Sequence, residues 1–236
     1  MKGDAGGRGF LPFIKQIASP LLEFLFPSRC PACGAYVKER GAWCPGCLLN
    51  AVRVRRLPLG DAHRKVLDEA WAFGLYHGPL RELLLPLKFQ KKRDGLPAIR
   101  RFLTEVGGAL PRRGWMPGAA VPVPLFAEKE RERGGNQTEL IFRDWLTAQG
   151  WAWRRALVRT RATEPQFGLS APLRASNIKD AFAVSGNVRP EEIVGANILL
   201  LDDIMTTGAT LAECARTLRT AGAASVSAWV LASDRA

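Results

Sequence analysis

Apolar and polar positions follow two rhythms along this chain, and the places where the rhythm changes predict its elements. Ile198-Leu199-Leu200-Leu201 has no polar side, as expected of a central parallel strand buried on both faces. From Ala209 to Ala221 the apolar residues recur at helical spacing, so a strand feeds a helix through a short loop. Upstream, AWAFGLYHG from Ala70 has strand-like aromatics, PLRELLLPLKFQ is helical, KKRDG is a turn, and a second helix is predicted from Leu96 to Leu110. Ala119 to Pro124 is apolar but carries two prolines, which suits the end of a strand running into a loop. Arg131 to Gln137 predicts a charged, flexible approach to a helix that runs to about Gln149. Strand-like residues follow at Ala156 to Val158, then a polar stretch without period from Arg159 to Asn177, whose length points to a functional loop. Ala181 to Val184 and Ser225 to Leu231 complete the strands. Strands that alternate with helices predict an α/β fold, a parallel sheet covered on both faces.

The junction LLLDDIMTTGATL, Leu199 to Leu211, carries the most chemistry. Small residues at Thr206, Thr207, Gly208 and Ala209 let backbone N–H groups approach a ligand closely, and the helix N-terminus adds its positive end. An anion fits there. Asp202 and Asp203 would repel that anion unless they face another part of the ligand, and vicinal sugar hydroxyls, which donate, suit carboxylates, which only accept. Strand neighbours point to opposite faces, so the two acids are expected to play unequal roles. The segment resembles the 5-phosphoribosyl-1-pyrophosphate (PRPP) motif of type I phosphoribosyltransferases.

Cys30-Pro-Ala-Cys33 and Cys44-Pro-Gly-Cys47 form two CxxC knuckles, with Pro and Gly permitting the tight turns that let four thiolates converge on one Zn²⁺. A zinc ribbon is the expectation. Paired disulfides in a secreted domain are the competing reading, but nothing else in the sequence suggests secretion. Cys214, inside the last predicted helix, fits a small core residue better than a nucleophile.

The 236 residues, 47% hydrophobic, suffice for one domain of ordinary size plus a small module. Phe10 to Phe26 is rich in Leu, Ile and Phe, but Lys15, Gln16, Pro20 and Glu23 interrupt it. A short amphipathic helix is expected there, and with no apolar run of about 20 residues the expectation is a cytoplasmic protein without a membrane span. Residues 1–52 are read as leader helix and ribbon. Arg53, Arg55, Arg56, Pro58 and Gly60 mark a linker over 53–68, and the main domain follows over 69–236. The formal net charge of +12 brings a polyanionic partner into consideration, PRPP and nucleic acid alike, but it serves solubility equally well, and charge alone does not choose. For single-stranded DNA, the linker arginines supply charge, and Trp43 or Phe89 a stacking face unless they pack in the core. His63 and His77 sit at no metal-ligand spacing.

Over nearly its whole length the chain resembles the ComF family of competence-associated, phosphoribosyltransferase-like proteins. The resemblance rests on the Cys30 to Cys47 ribbon, Lys88-Phe89, VPVP at Val121 to Pro124, and R-x-R-G-x-N-Q at Arg131 to Gln137. It continues through Thr163, Gln166, Leu169, Arg174 and Asn177 to the loop from Asp202 to Thr210. Gly135 departs from it, standing where family members carry an aromatic residue. The resemblance implies displacement of pyrophosphate from ribose C1 by a nitrogen nucleophile through a cationic sugar, with Mg²⁺ accompanying PRPP and zinc serving a structural role. It places the 5-phosphate on the backbone of Met205, Thr206, Thr207, Gly208, Ala209 and Thr210, and the ribose hydroxyls on Asp202 and Asp203. Pyrophosphate meets the loop after Pro124 with Arg131, Arg133 and Lys88. Nothing in the sequence identifies the acceptor. The alternative is a non-catalytic PRPP-sensing adaptor that binds single-stranded DNA or competence and recombination proteins.

Overall fold

The computed structural model describes residues 26–89, 92–109, 118–163 and 171–235. Along the chain come α1 (Pro45–Ala51), β1 (Val52–Arg56), α2 (Asp61–Arg64), β2 (Glu69–Leu75), α3 (Gly78–Phe89) and α4 (Leu96–Val106). Then follow β3 (Ala119–Pro122), α5 (Ala127–Arg133), α6 (Gln137–Thr147), β4 (Leu157–Arg159), α7 (Ala171–Ile178) and β5 (Phe182–Val184). The chain ends with β6 (Asn197–Met205), α8 (Ala209–Thr220) and β7 (Ser225–Ser233).

Five strands form one sheet in the order β1-β2-β7-β6-β3. The inner pairings are parallel, with Leu200 of β6 level with Ala228 on one side and Val121 on the other. Because β6 lies inside the sheet, between β7 and β3, its side chains feed two separate cores. Ile198 and Leu200 pack with Leu211, Cys214, Ala215 and Leu218 of α8. Leu199 and Leu201 face the opposite layer, with Phe73, Ile99, Phe102, Ile141, Phe142 and Trp229. Period-two alternation thus puts apolar residues on both faces, as the unbroken apolar run predicts.

Several local expectations are revised. Residues 53–56 are no irregular linker but part of β1, the antiparallel edge strand, paired to β2 through Arg56 and Trp71. Arginines on an edge strand also discourage pairing with another chain. Arg131 and Arg133 belong to a helical turn of their own: α5 ends where Gly134 adopts φ +72°, a conformation that a side chain would strain. Asn136 then caps α6, accepting from the Thr138 N–H at 2.9 Å, while its Nδ2 donates to the Val123 carbonyl at 2.9 Å. The strand near Val158 lies outside the main sheet and pairs antiparallel with β5. Within the polar stretch, residues 171–178 are helical. The expected leader helix up to residue 25, Gln166 and Leu169, and Leu110 at the end of a predicted helix lie outside the described residues, while Gly107–Ala109 form a 3-10 turn after α4. Among the described residues no helix is long and apolar enough to cross a membrane.

Candidate functional site

At the C-terminal end of β6 the strand continues through Asp202 and Asp203 to Met205, then turns over Thr206, Thr207 and Gly208 into α8. Gly208 is the N-cap at φ +86°, and a Cβ there would lie 2.7 Å from the Met205 Cε. The backbone conformation therefore calls for glycine, whereas the Met205 methyl, at the end of a flexible side chain, can shift. The Thr207 Oγ1 accepts from the Ala209 N–H at 3.4 Å, and the Ala212 N–H closes the first helical turn on the Gly208 carbonyl at 2.9 Å. Ser233 of β7 holds the strand end by donating its hydroxyl to the Met205 carbonyl at 2.9 Å. A fixed turn at a helix N-terminus presents backbone donors and the positive end of the dipole to one point.

The two acids diverge, as strand alternation requires. Asp203 is buried and faces α3, where the Lys88 Nζ lies 3.3 Å from its carboxylate. Asp202 follows Ile198 and Leu200 onto the α8 face, and its Oδ1 accepts from the Asp203 N–H at 2.9 Å. Burial, then the neighbouring Asp203 charge, push the Asp202 carboxyl up to about 8, with Lys88 opposing. For Lys88, burial works against the charge, but Asp203 and Asp202 outweigh it and hold the ammonium above its usual range.

Arg133 comes near this pair. It donates to the Gln137 Oε1 at 3.0 Å, and burial lowers its affinity for the proton although Asp203, Glu132 and Asp202 favour the charge. Arg131 does not join them: it is exposed and lines a separate shallow pocket with Glu130 and Arg155. Two cations that sequence reasoning left out lie near this group: Arg159 on β4 feels the Asp202 charge, and Lys129 on α5 feels the charges of Arg133, Arg159, Glu132 and Lys88. The i,i+4 spacing of Lys129 and Arg133 was a legible signal for Lys129. Arg159 gave none beyond opening the polar stretch. His63 lies against the turn, its Nδ1 3.4 Å from where a Cβ on Gly208 would sit, while His77 is exposed. Cys214 is fully buried, in keeping with a core role.

The second site is the ribbon. The sulfurs of Cys30, Cys33, Cys44 and Cys47 all lie within 4.8 Å of one another, and all five cysteines of the chain are free thiols. Burial raises the Cys30 thiol, but N–H groups of Cys44, Cys33 and Ala32 outweigh that and bring it down to about 6. Cys47 is pushed far up by burial and by its neighbouring sulfurs. A second negative charge among thiols is thus resisted, and a dication relieves that. This donor set fits Zn²⁺. Trp43 docks the ribbon: it is buried against Phe102 and donates its Nε1–H to the Ala98 carbonyl at 2.8 Å. It therefore offers no stacking face, and the Phe89 side chain lies outside those described. Of the basic edge residues, Arg53 and Arg56 are exposed, while Arg55 is tied to the carbonyls of Ser233 and Arg235.

Residues 21–57 match the double zinc ribbon domain family and residues 154–236 the phosphoribosyl transferase domain family. DNA utilization protein YhgH of Salmonella typhimurium is 35% identical over 209 residues, covering 86% of this chain and 88% of the relative. Competence protein F of Haemophilus influenzae is 30% identical over 223 residues, covering 92% of this chain and 87% of the relative. The adenine phosphoribosyltransferase structure from Leishmania tarentolae overlays at 15% identity with a TM-score of 0.36, covering 77% of this chain and 95% of that one. Ribbon and transferase-type sheet follow one another here within a single chain that matches a competence protein along most of its length, and the chain belongs to the ComF family of competence-associated, phosphoribosyltransferase-like proteins.

Proposed function

We propose that this chain binds PRPP at the end of β6 and transfers its ribose 5-phosphate to a nucleophilic acceptor. The observation that carries the reading is the turn itself: a left-handed Gly208 at a helix N-terminus, directly after an acid pair. The 5-phosphate sits on the backbone from Met205 to Thr210, and the ribose hydroxyls donate to Asp202 and Asp203. Lys88 and Arg133 meet the pyrophosphate. Arg131, on another face, has no part in it. As pyrophosphate departs, C1 gains positive charge that the carboxylates of Asp202 and Asp203 stabilise, and the cations hold the leaving group. Mg²⁺ bound with the substrate supplies further neutralisation of the pyrophosphate, and the hard oxygen donors of Asp202 and Asp203 suit such an ion. Four thiols poised for a metal rather than bridged agree with a cytoplasmic protein.

PRPP with Mg²⁺ should raise the melting temperature, because it binds the folded state alone. Pyrophosphate release should follow when the right acceptor is added from a panel of nitrogen bases. No thermal shift at millimolar PRPP would overturn the reading.

One observation favours the non-catalytic adaptor as a second reading. Phe26 and Tyr36 of the ribbon are 75% and 70% exposed, and the Arg29 guanidinium lies 4.4 Å over the Tyr36 ring. On a chain of net charge +12 this surface supports docking of single-stranded DNA, or of competence or recombination proteins. PRPP binding without pyrophosphate release across the panel selects the adaptor. DNA binding that weakens steeply with salt, and further with Arg29, Arg53 and Arg56 changed to Ala, identifies its partner as nucleic acid.

A further inference from the structure

Ser233 is fully buried at the last position of β7, level with Met205 of β6 on one side and Leu75 of β2 on the other. Its hydroxyl is used twice: Oγ accepts the Arg235 N–H at 3.1 Å and donates to the Met205 carbonyl at 2.9 Å. Its carbonyl accepts the Tyr76 N–H at 3.0 Å and an Nη2 hydrogen of Arg55 at 3.4 Å. The same Arg55 nitrogen donates to the Arg235 carbonyl, and Nη1 donates to the Arg53 carbonyl at 3.3 Å. Arg235 in turn donates to the Pro58 carbonyl at 3.0 Å. A side chain of the edge strand β1 is thereby joined through β7 to the end of β6, three strands away.

These contacts give the hydroxyl one direction. A serine O–H rotates to suit its surroundings unless a donor and an acceptor fix it between them. Here the Arg235 N–H takes the oxygen from one side, in the kind of turn that a serine side chain makes with the N–H two residues on. Asp234, between the two, is exposed, and the turn is held closed by Arg55, whose charged group grips the carbonyls of Ser233 and Arg235 together. The effect reaches the phosphate turn because a trans peptide is planar, with its C=O and N–H opposed. Anchoring the Met205 carbonyl on Ser233 therefore aims the Thr206 N–H, which opens the turn, away from β7.

We propose that Ser233 and Arg55 are positioning residues for the phosphate turn: they set the plane of the Met205–Thr206 peptide, and affinity for a phosphate monoester depends on them although they act through Met205 rather than on the ligand. This rests on the PRPP reading and adds to it what holds the turn ready. It gives Arg55 a role apart from its exposed neighbours Arg53 and Arg56. None of the relay's hydrogen bonds reaches the pair formed by Lys88 and Asp203, so a ligand held through Lys88 alone should not sense the relay.

The test separates positioning from mere stability. Full-length wild type, Ser233→Ala, Arg55→Met and Arg55→Lys are titrated calorimetrically with ribose 5-phosphate and, separately, with Mg²⁺-pyrophosphate, each well below its melting temperature. Ser233→Ala should weaken ribose 5-phosphate about fivefold or more and Arg55→Met about threefold, with pyrophosphate within about twofold in both. Arg55→Lys should recover part of the loss, since it restores the charge without the fork of donors. Should Ser233→Ala fail to fold, the half-buried Arg55 supplies the deciding variants. A lower melting temperature with unchanged ribose 5-phosphate affinity, or equal losses for both ligands, overturns the proposal and leaves the PRPP reading standing. If the wild type binds no ribose 5-phosphate the proposal falls, and the PRPP reading falls with it when PRPP also gives no thermal shift.

Discussion

The zinc ribbon and the acid pair and turn at the end of β6 are both polar sites, but they are assembled over different distances along the chain. Four ribbon thiols come from one short stretch, Cys30 to Cys47, and the metal holds that stretch together. The site at the end of β6 takes its acids from β6, the cation paired with Asp203 from α3, and its turn from the start of α8. It exists only when the sheet has formed. A ribbon site therefore fails by losing its ion, and the site at the end of β6 by losing its scaffold or its charge balance.

The largest test of this contrast is removal of zinc. Purified protein should hold one zinc per chain by metal analysis, and Cys30→Ser or Cys47→Ser should lose it. Structural zinc contributes on the order of 10 kcal/mol to the folding of such modules, so the ribbon should unfold. The sheet should still unfold cooperatively and still be stabilised by PRPP, because the core on the α8 face takes nothing from the ribbon, while Trp43 and Ala51 reach only the opposite core. Zinc-free protein after fully reduced purification would remove the ribbon half of the comparison. A PRPP effect lost together with the zinc would show that the two regions are not separable.

Next come the acids. At a PRPP concentration of about 100 Kd, ligand binding stabilises the fold by roughly 2.7 kcal/mol. Asp202→Asn and Asp203→Asn should each lose most of that stabilisation in a thermal shift assay. Without ligand, Asp202 favours the proton more in the folded than in the unfolded chain, because burial and Asp203 raise it to about 8. The native state therefore holds the extra proton between about pH 4 and 8, and the stability that this proton provides falls as pH rises through that window. In Asp202→Asn the decline should be shallower. An identical pH profile in the variant would remove Asp202 from the buried pair.

Gly208→Ala tests the turn. A side chain at φ +86°, 2.7 Å from the Met205 Cε, should destabilise the fold by about 1–3 kcal/mol in chemical denaturation and weaken PRPP as well. Thr207→Ala should do less on both counts. Equal effects at the two positions would mean that backbone approach is not what the turn provides. The smallest effect is expected at the joint between the regions. Trp43→Phe keeps an aromatic ring against Phe102 but leaves the Ala98 carbonyl without its donor, which should lower stability by about 1 kcal/mol. Zinc content should be unchanged.

How much was legible in advance follows the same division by distance. The ribbon could be read because its ligands, spacing and turn residues are neighbours in sequence. The β6 strand, the acid pair and the phosphate turn could be read for the same reason: an unbroken apolar run, two acids and small residues lie within thirteen consecutive positions. Alternation even foretold unequal surroundings for Asp202 and Asp203: Asp203 pairs with Lys88 of α3, and Asp202 acts on Cys214 of α8.

Other features were decided by tertiary structure. A stretch of arginines became an edge strand because β2 offered it an unpaired backbone. The flexible approach to a helix became α5, a break and α6, because Gly134 ended one helix and Asn136 capped the next against the Val123 carbonyl. Arg133 rather than Arg131 reached the acids, since neighbours on a helix point in different directions. Arg159 came within the field of Asp202 from a separate segment. The sequence by itself determined which backbone and which ligand-like side chains lie together locally, because those depend on propensity and spacing alone. Which distant charges share a site depends on strand order and on the two packed layers, and those are set by burial over the whole chain.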